Sequence, residues 1–440
     1  MEDDSTRAVA GLAQRMSFTR GFERKQLADH RPQCPSIEQL RDTLHHVRRG
    51  VVLAKDQTAI VGIGWTAFTR NSQASTMSLA AEASFKAIGD AGLTPRDIDG
   101  VMSWFHRYSD GVSPEELGTA MSLECPFALN VDAGGHWMCG AVTTAASLVT
   151  AGICRNVLLY VARNSYSEGR ANRAAQGSVG GGGDQFRNPF GQHLAATTFA
   201  LPATAHMARF GTTTLDFAHL AVTQRKHASL NPKAQMQKPI TIEDHQNSRW
   251  ISYPYRLLDC CQQTDGAVAI VITSAERARD LRRKPVYIMA GVAGEGETAN
   301  LWETNGVNIA PKLYQAAGVT PRDVSLAELY DPFTGMVMLH MEDFGLVPKG
   351  EVGAWVTAGK NRLDGETPVN THGGLLNEAH MIALNHVVEA VQQLRPEGVL
   401  DDFCEGPHTY DRTVCRQVRD PEIALLCGEG GGSGMLLRKD

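Results

Sequence analysis

Gly92-Leu-Thr-Pro-Arg-Asp-Ile-Asp99 returns later in the chain as Gly318-Val-Thr-Pro-Arg-Asp-Val-Ser325. Self-similarity at so long a spacing marks a duplicated architecture. The match extends outward on both sides. Ahead of each copy lie a strand and a helix, Thr58 to Gly64 then Met77 to Ala91 in one case and Val286 to Ala290 then Ala310 to Ala317 in the other. The glycine at 92 or 318 stops each helix in the left-handed conformation that a residue without Cβ adopts freely. Behind each copy comes a strand, Gly100 to Phe105 or Leu326 to Tyr330, and then a double glycine opening a helix. These are Asp132-Ala-Gly-Gly-His136 before Val142 to Thr150, and Asn370-Thr-His-Gly-Gly374 before Leu384 to Leu394. Apolar strands at Asn156 to Ala162, Ala267 to Thr273 and Ile423 to Cys427 complete two βαβαβ-like halves. The predicted class is therefore α/β, with parallel-type sheets covered by helices.

Three segments follow: an N-terminal extension (1–55), a first half (56–275) with an unmatched insertion at 164–256, and a second half (276–440). The extension offers one short helix, Ile37 to Leu44. The insertion carries the helix Leu215 to Ala228 and the run Gly177-Ser-Val-Gly-Gly-Gly-Gly183. That run does not lead from a strand into a helix, so a phosphate loop is not its first reading. Inserted loops on a rigid scaffold commonly carry binding function, and Arg249, Tyr253 and Tyr255 are candidates there.

Composition excludes several classes. With 42% hydrophobic and 20% charged residues in 440, the chain is globular. A net charge of −6 with scattered Lys and Arg argues against nucleic acid as the main partner. No apolar run spans a bilayer and the acidic start, Met1-Glu-Asp-Asp4, is not a signal peptide. A cytoplasmic location is expected. Nine cysteines without a CxxC pair suggest neither a disulfide framework nor a zinc ribbon. His408, four residues after Cys404, lacks a partner pair for a metal. No metal is expected.

Three further motifs carry a family resemblance. They are Glu328-Leu-Tyr-Asp-Pro-Phe-Thr334 leading to Met341-Glu-Asp-Phe-Gly-Leu-Val-Pro348, Asn370-Thr-His-Gly-Gly-Leu-Leu-Asn-Glu-Ala-His380, and Cys427-Gly-Glu-Gly-Gly-Gly-Ser-Gly434. From about Ala59 onward the chain resembles the thiolase superfamily, in particular the sterol-carrier-protein type, which implies a duplicated five-layer αβαβα thiolase fold. The resemblance places the usual nucleophilic cysteine at Gly135 or His136, neither of which forms an acyl thioester. It also puts Tyr330 where the family carries a histidine, and His380 on the catalytic-loop histidine. This mixture looks like the branch of CoA-thioester aldolases that cleave steroid side chains. That branch dispenses with the cysteine, uses tyrosines as acid and base, and pairs with a small OB-fold, zinc-ribbon-bearing chain. The resemblance also implies a homodimer.

Retro-aldol cleavage of a β-hydroxyacyl thioester needs a base for the hydroxyl, donors for the enolate oxygen and an acid for carbon, with no covalent nucleophile. His380, with an unperturbed pKa of ~6.5, is the natural base, and Tyr330, near ~10, suits the acid, with Asp331 adjacent in sequence. Backbone amides at Gly134-Gly135 and Gly373-Gly374 are oxyanion-hole candidates. His136 is a third titratable candidate. The competing reading is acyl transfer through Cys139, about one turn along the helix, or Cys427, each with His380. A third is a non-catalytic protein that binds lipid thioesters or scaffolds a partner. For each residue a structural role stands beside the chemical one: Tyr330 as a pocket-lining aromatic, and Cys139 and Cys427 as buried thiols. No cofactor is expected beyond the coenzyme A of the substrate.

Overall fold

The computed structural model describes residues 51–52, 55–104, 111–124, 126–167, 184–296, 298–397 and 416–440. Residues 50–440 make one compact unit. Helix Ile37 to Leu44, the glycine run 177–183, Cys34, Cys125, Cys404, Cys415 and His408 lie outside the described residues.

Among the described residues the first half gives five strands to the main sheet: β1 (Thr58–Trp65), β2 (Gly100–Trp104), β3 (Phe127–Val131), β4 (Asn156–Asn164) and β5 (Asp265–Ser274). They stand in the order β3-β2-β4-β5-β1, with β5 antiparallel to its neighbours. The second half contributes β6 (Val286–Ala293), β7 (Leu326–Leu329), β8 (Ile423–Cys427) and β9 (Ser433–Arg438) in the order β7-β8-β9-β6, with β9 antiparallel. A parallel bridge from Ala327 to Val369 stands where β3 stands in the first half. Both halves thus share one order and one odd strand.

The expected parallel-type sheets are corrected to mixed ones, for reasons of connection. The tight turn Gly428 to Gly432 joins β8 to β9, and so short a link can join only antiparallel neighbours. The insertion separates β4 from β5 in place of a crossover helix. The two halves also fuse, because β1 pairs antiparallel with β6 through Ala59 with Tyr287 and Ile60 with Val286.

The helices used below are α1 (Thr76–Asp90), α2 (Met138–Thr150), α3 (Ala195–Phe210), α4 (Thr214–Ser229), α5 (Gly306–Ala317), α6 (Thr334–Asp343) and α7 (Leu384–Leu394). Strand side chains alternate between faces, and β4 shows the consequence. Leu158 and Tyr160 join α1 in an outer core, whereas Leu159 and Val161 face inward onto α2 and α7. In the second half Leu425 and Cys427 face outward toward α5 and α6, and Ala424 and Leu426 inward. Helices α2 and α7 contact strands of both halves. The layers are accordingly helix, sheet, helix, sheet, helix, with three hydrophobic cores between them. Each fully buried Leu or Ile contributes about 1.5–3 kcal/mol.

The repeated motif has a local physical reason. In each copy the aspartate, Asp97 or Asp323, accepts from the backbone N–H and the hydroxyl of the preceding threonine at 2.7–2.8 Å. This closes a capping box around a proline-started turn. Gly92 and Gly318 take φ of +75° and +68°.

Candidate active site

Strand β7 ends at Leu329, and its exit is pinned by Asn370. The Leu329 N–H donates to Asn370 Oδ1 at 2.7 Å, and Asn370 Nδ2 donates to Leu329 O at 3.0 Å. The next residue, Tyr330, is buried, and its hydroxyl lies 3.3 Å from His380 Nε2, the two rings edge to face at 85°. His380 is held through its backbone N–H, which donates to Thr264 Oγ1 at 3.0 Å.

Opposite them, Gly134 and Gly135 open the short turn Gly135–Trp137 that leads into α2. A Cβ on Gly135 would fall 2.5 Å from Tyr330 ring atom Cε2 and closer still to the phenolic oxygen. The tyrosine hydroxyl therefore fills the space that a side chain at 135 would occupy. A side chain at 135 thus requires Tyr330 to move.

These groups border a cavity of about 690 Å³ lined by Gly134, Gly135, His136, Tyr330 and His380 together with residues from the insertion. Of the sequence candidates, five converge here. His136 is half exposed, with Nε2 4.0 Å from Glu295 Oε1 on the rim. Its carbonyl accepts from Ser433 Oγ at 2.6 Å, tying the turn to β9.

The other candidates lie elsewhere. Asp331 is fully buried and does not line the cavity. Its carboxylate accepts from Leu375 N at 2.7 Å, Leu376 N at 3.3 Å and Gln224 Nε2 at 3.2 Å. It is a cap for the turn Gly374–Asn377, which corrects its expected substrate-binding role. Gly373 and Gly374 are corrected likewise. Added Cβ atoms there would meet Ala228 and Asp331, so the second double glycine packs into the protein interior instead of facing substrate. Cys139 and Cys427 are both fully buried and outside the cavity. Burial pushes the Cys139 thiol up to about 12 and the Cys427 thiol well above its ordinary value, against the thiolate that acyl transfer requires. Tyr255 is buried too, stacked on Phe333 with its hydroxyl donating to Phe199 O at 3.1 Å, while Tyr253 is exposed.

Sequence reading missed Arg163, a buried guanidinium at the end of β4 that lines the cavity, and the apolar wall of Phe199, Phe333 and Ile382. The insertion supplies Phe199, Arg187 and Ala195 to the cavity lining. A buried arginine in an otherwise apolar strand was the available signal. Beneath the site runs a chain of buried groups that the sequence had not joined. Glu328 Oε2 lies 3.0 Å from His372 Nδ1, His372 Nε2 lies 2.8 Å from His386 Nδ1, and His386 Nε2 lies 3.0 Å from Asp331 Oδ1. Glu328, His372 and His386 bring ligand atoms within 4.8 Å of one another. Their facing nitrogens are nevertheless engaged with each other, as in a hydrogen-bonded chain.

Among the described residues no helix is long and apolar enough to cross a membrane. Residues 296–405 match the family model for a thiolase C-terminal domain-like region. The 17-hydroxy-3-oxo-4-pregnene-20-carboxyl-CoA lyase of Mycobacterium tuberculosis is 41% identical over 360 residues, covering 78% of this chain and 92% of that protein. A steroid side-chain-cleaving aldolase of Thermomonospora curvata is 39% identical over 358 residues, covering 78% and 91%. A solved structure described as an Ltp2-ChsH2(DUF35) aldolase superposes with a TM-score of 0.77 at 35% identity, covering 88% of this chain and 98% of that one.

Proposed function

The chain belongs to the thiolase-like family that contains the steroid side-chain-cleaving aldolases, and from that premise we propose that it cleaves a β-hydroxyacyl-CoA thioester by a retro-aldol reaction. The observation that carries the reading is the Tyr330–His380 pair, 3.3 Å apart, with the phenol seated in the space a nucleophilic side chain at 135 would need.

His380 Nε2 takes the proton of the β-hydroxyl as the Cα–Cβ bond breaks and the β-carbon becomes a ketone. The electron pair moves into the thioester carbonyl, whose oxygen becomes an enolate. Backbone amides at the Gly134-Gly135 start of the α2 segment stabilise that oxygen. The Tyr330 hydroxyl then protonates Cα, releasing the shortened thioester. The proton on His380 returns to the Tyr330 phenolate across their hydrogen bond, so the pair is reset without outside help. No metal or organic cofactor enters this cycle beyond the coenzyme A of the substrate.

The apolar wall of Phe199, Phe333 and Ile382 in a cavity of about 690 Å³ favours a bulky, steroid-like acyl chain. A separate small partner with an OB-fold and zinc ribbon is part of the proposal, supported by the two-component name of the related structure. So is a homodimer, supported by β3, the terminal strand of the sheet, whose side chains are half exposed or exposed. Cys139, Cys260 and Cys427 carry free thiols, which favours a reducing compartment such as the cytoplasm.

The test is Tyr330→Phe and His380→Ala in the purified protein with its partner chain, assayed by chromatography of the ketone and shortened thioester. General acid–base catalysis predicts losses of about 10²–10⁴-fold in each. Parental rates in both variants would sink the assignment.

A further inference from the structure

The chain of buried groups beneath the cavity is used by no step of the proposed cycle, and its proton inventory can be worked out from partners alone. His386 Nε2 faces only acceptors, Leu329 O at 3.1 Å and Asp331 Oδ1 at 3.0 Å, so it carries a hydrogen. In a neutral His386 ring Nδ1 is then the acceptor for His372 Nε2–H at 2.8 Å, while Asn385 Nδ2, 3.4 Å from the same Nε2, spends its hydrogens on Glu378 Oε2 and Ala379 O. The remaining nitrogen, His372 Nδ1, sits 3.0 Å from the Glu328 carboxylate, where a bare nitrogen lone pair would be repelled. A second carboxylate, Glu378, stands 3.6 Å from Nε2.

The surroundings of His372 are crowded with charge from every side. Glu328 comes from β7, Asp331 from the residue after Tyr330, and Glu378 from the loop that carries His380. Glu389 and His386 come from α7, and His227 from α4. The neighbouring cations are already engaged: Arg416 pairs with Glu389, and Lys233 reaches Glu378 at 3.7 Å and Gln392 at 2.7 Å. All of these carboxylates are buried. Burial alone would pull His372 down, but Glu378 and Glu328 outweigh it and hold it up at about 9.

The geometry points to His372 as a doubly protonated positioning residue that sets the distance between Tyr330 and His380. Its ring bridges Glu328, two residues before Tyr330, to Glu378, two residues before His380. Through His386 it also reaches Asp331, whose carboxylate caps the turn leading to His380. Removing the charge leaves two buried carboxylates facing each other across an empty place, and the two catalytic segments separate. This inference rests on the aldolase reading for its activity arm only.

Histidine-selective 15N labelling tests the charge directly, with His372→Gln assigning the signal. The expected spectrum shows both His372 nitrogens protonated at pH 7.5, with deprotonation near pH 9. A neutral ring at pH 7.5 overturns the inference, as does a stoichiometric metal in the purified protein. In the activity arm, His372→Gln and Glu378→Gln lower kcat by about 100-fold, the scale of a 1 Å misplacement, while KM moves by less than about 3-fold. The alkaline limb of the parental kcat profile falls near pH 9 and is lost in both variants. Parental kcat in a folded His372→Gln, or an alkaline limb unchanged in Glu378→Gln should the first variant not fold, overturns it. If the parent cleaves no β-hydroxyacyl thioester, the aldolase reading fails while the spectrum still decides the state of His372.

Discussion

The phenolic oxygen of Tyr330 stands against the α-carbon of Gly135, inside the volume that a side chain at 135 would need. One residue comes from the end of β7 and the other from the turn before α2, so the contact spans the two halves of the fold. Gly135→Ala puts a methyl group into that space and pushes the hydroxyl off His380. We expect kcat to drop by about 100-fold, as for a misplacement near 1 Å, with the fold retained by circular dichroism and thermal melting. An alanine variant at parental rate would show that the phenol has room to spare.

Cys139 presents a clean contrast. Its thiol is fully buried and pushed up to about 12, so alkylating reagents at pH 8 should leave it unlabelled while the protein is folded. Cys139→Ala should retain aldolase activity within about 3-fold and cost on the order of 1 kcal/mol, in the range of ordinary core substitutions. Mass spectrometry that finds an acyl adduct on Cys139 after incubation with an acyl thioester would overturn this and restore acyl transfer as a contender.

The buried histidines set the acid stability of the fold. Burial holds His227 down at about 4, although its Nδ1 lies 3.1 Å from Asn370 O. A group depressed in this way takes up a proton more readily unfolded, so stability is lost as pH falls from 6.5 toward 4. The loss is on the order of 3 kcal/mol from the 1.36 kcal/mol of each pKa unit. His340, held down at about 3 chiefly by burial, extends the same trend lower. Melting curves from pH 7 to 4 should therefore decline, and His227→Asn should flatten the decline. A flat parental curve would contradict the sign.

The edge strand β3 gives a fourth expectation. Ala128 and Asn130 are its exposed positions. Across a two-fold axis, Ala128→Glu and Asn130→Glu would set like charges against each other, which destabilises strand pairing. Light scattering should show the double variant dissociating at concentrations at least about tenfold higher than the parent, with activity per folded chain reported alongside. An unchanged mass at every concentration would place the dimer contact elsewhere.

What could be read from the sequence was what is local. The Thr-Pro-Arg-Asp box closes within four residues, so both copies declared themselves, and the strand–helix pairs around them followed. Asp331 misled because adjacency to Tyr330 in sequence says nothing of direction: the carboxylate turns into the 374–377 turn while the phenol faces the cavity. Gly373-Gly374 copied the look of Gly134-Gly135 but takes φ of +101° and +69° and packs on Ala228 and Asp331, a difference of backbone that composition does not encode. Arg163 showed only as an arginine in an apolar strand, and the Glu328–His372–His386 chain was out of reach because its members come together only when β7, the 370–374 turn and α7 are stacked. Strand β9 hid behind the glycines of 428–434.

The antiparallel seam between β1 and β6 makes one sheet of both halves. In the proposed retro-aldol cycle the oxyanion donors and the acid–base pair are mounted on a common plate, with no swivel between them to tune for each substrate. Adaptation to new acyl chains then falls to the 164–256 insertion, which brings Phe199, Arg187 and Ala195 to the wall but neither Tyr330 nor His380. The same insertion also sends Gln224 to Asp331 and Asn231 to Glu378, so what is cleaved can change through its wall residues only while those two props stay in place.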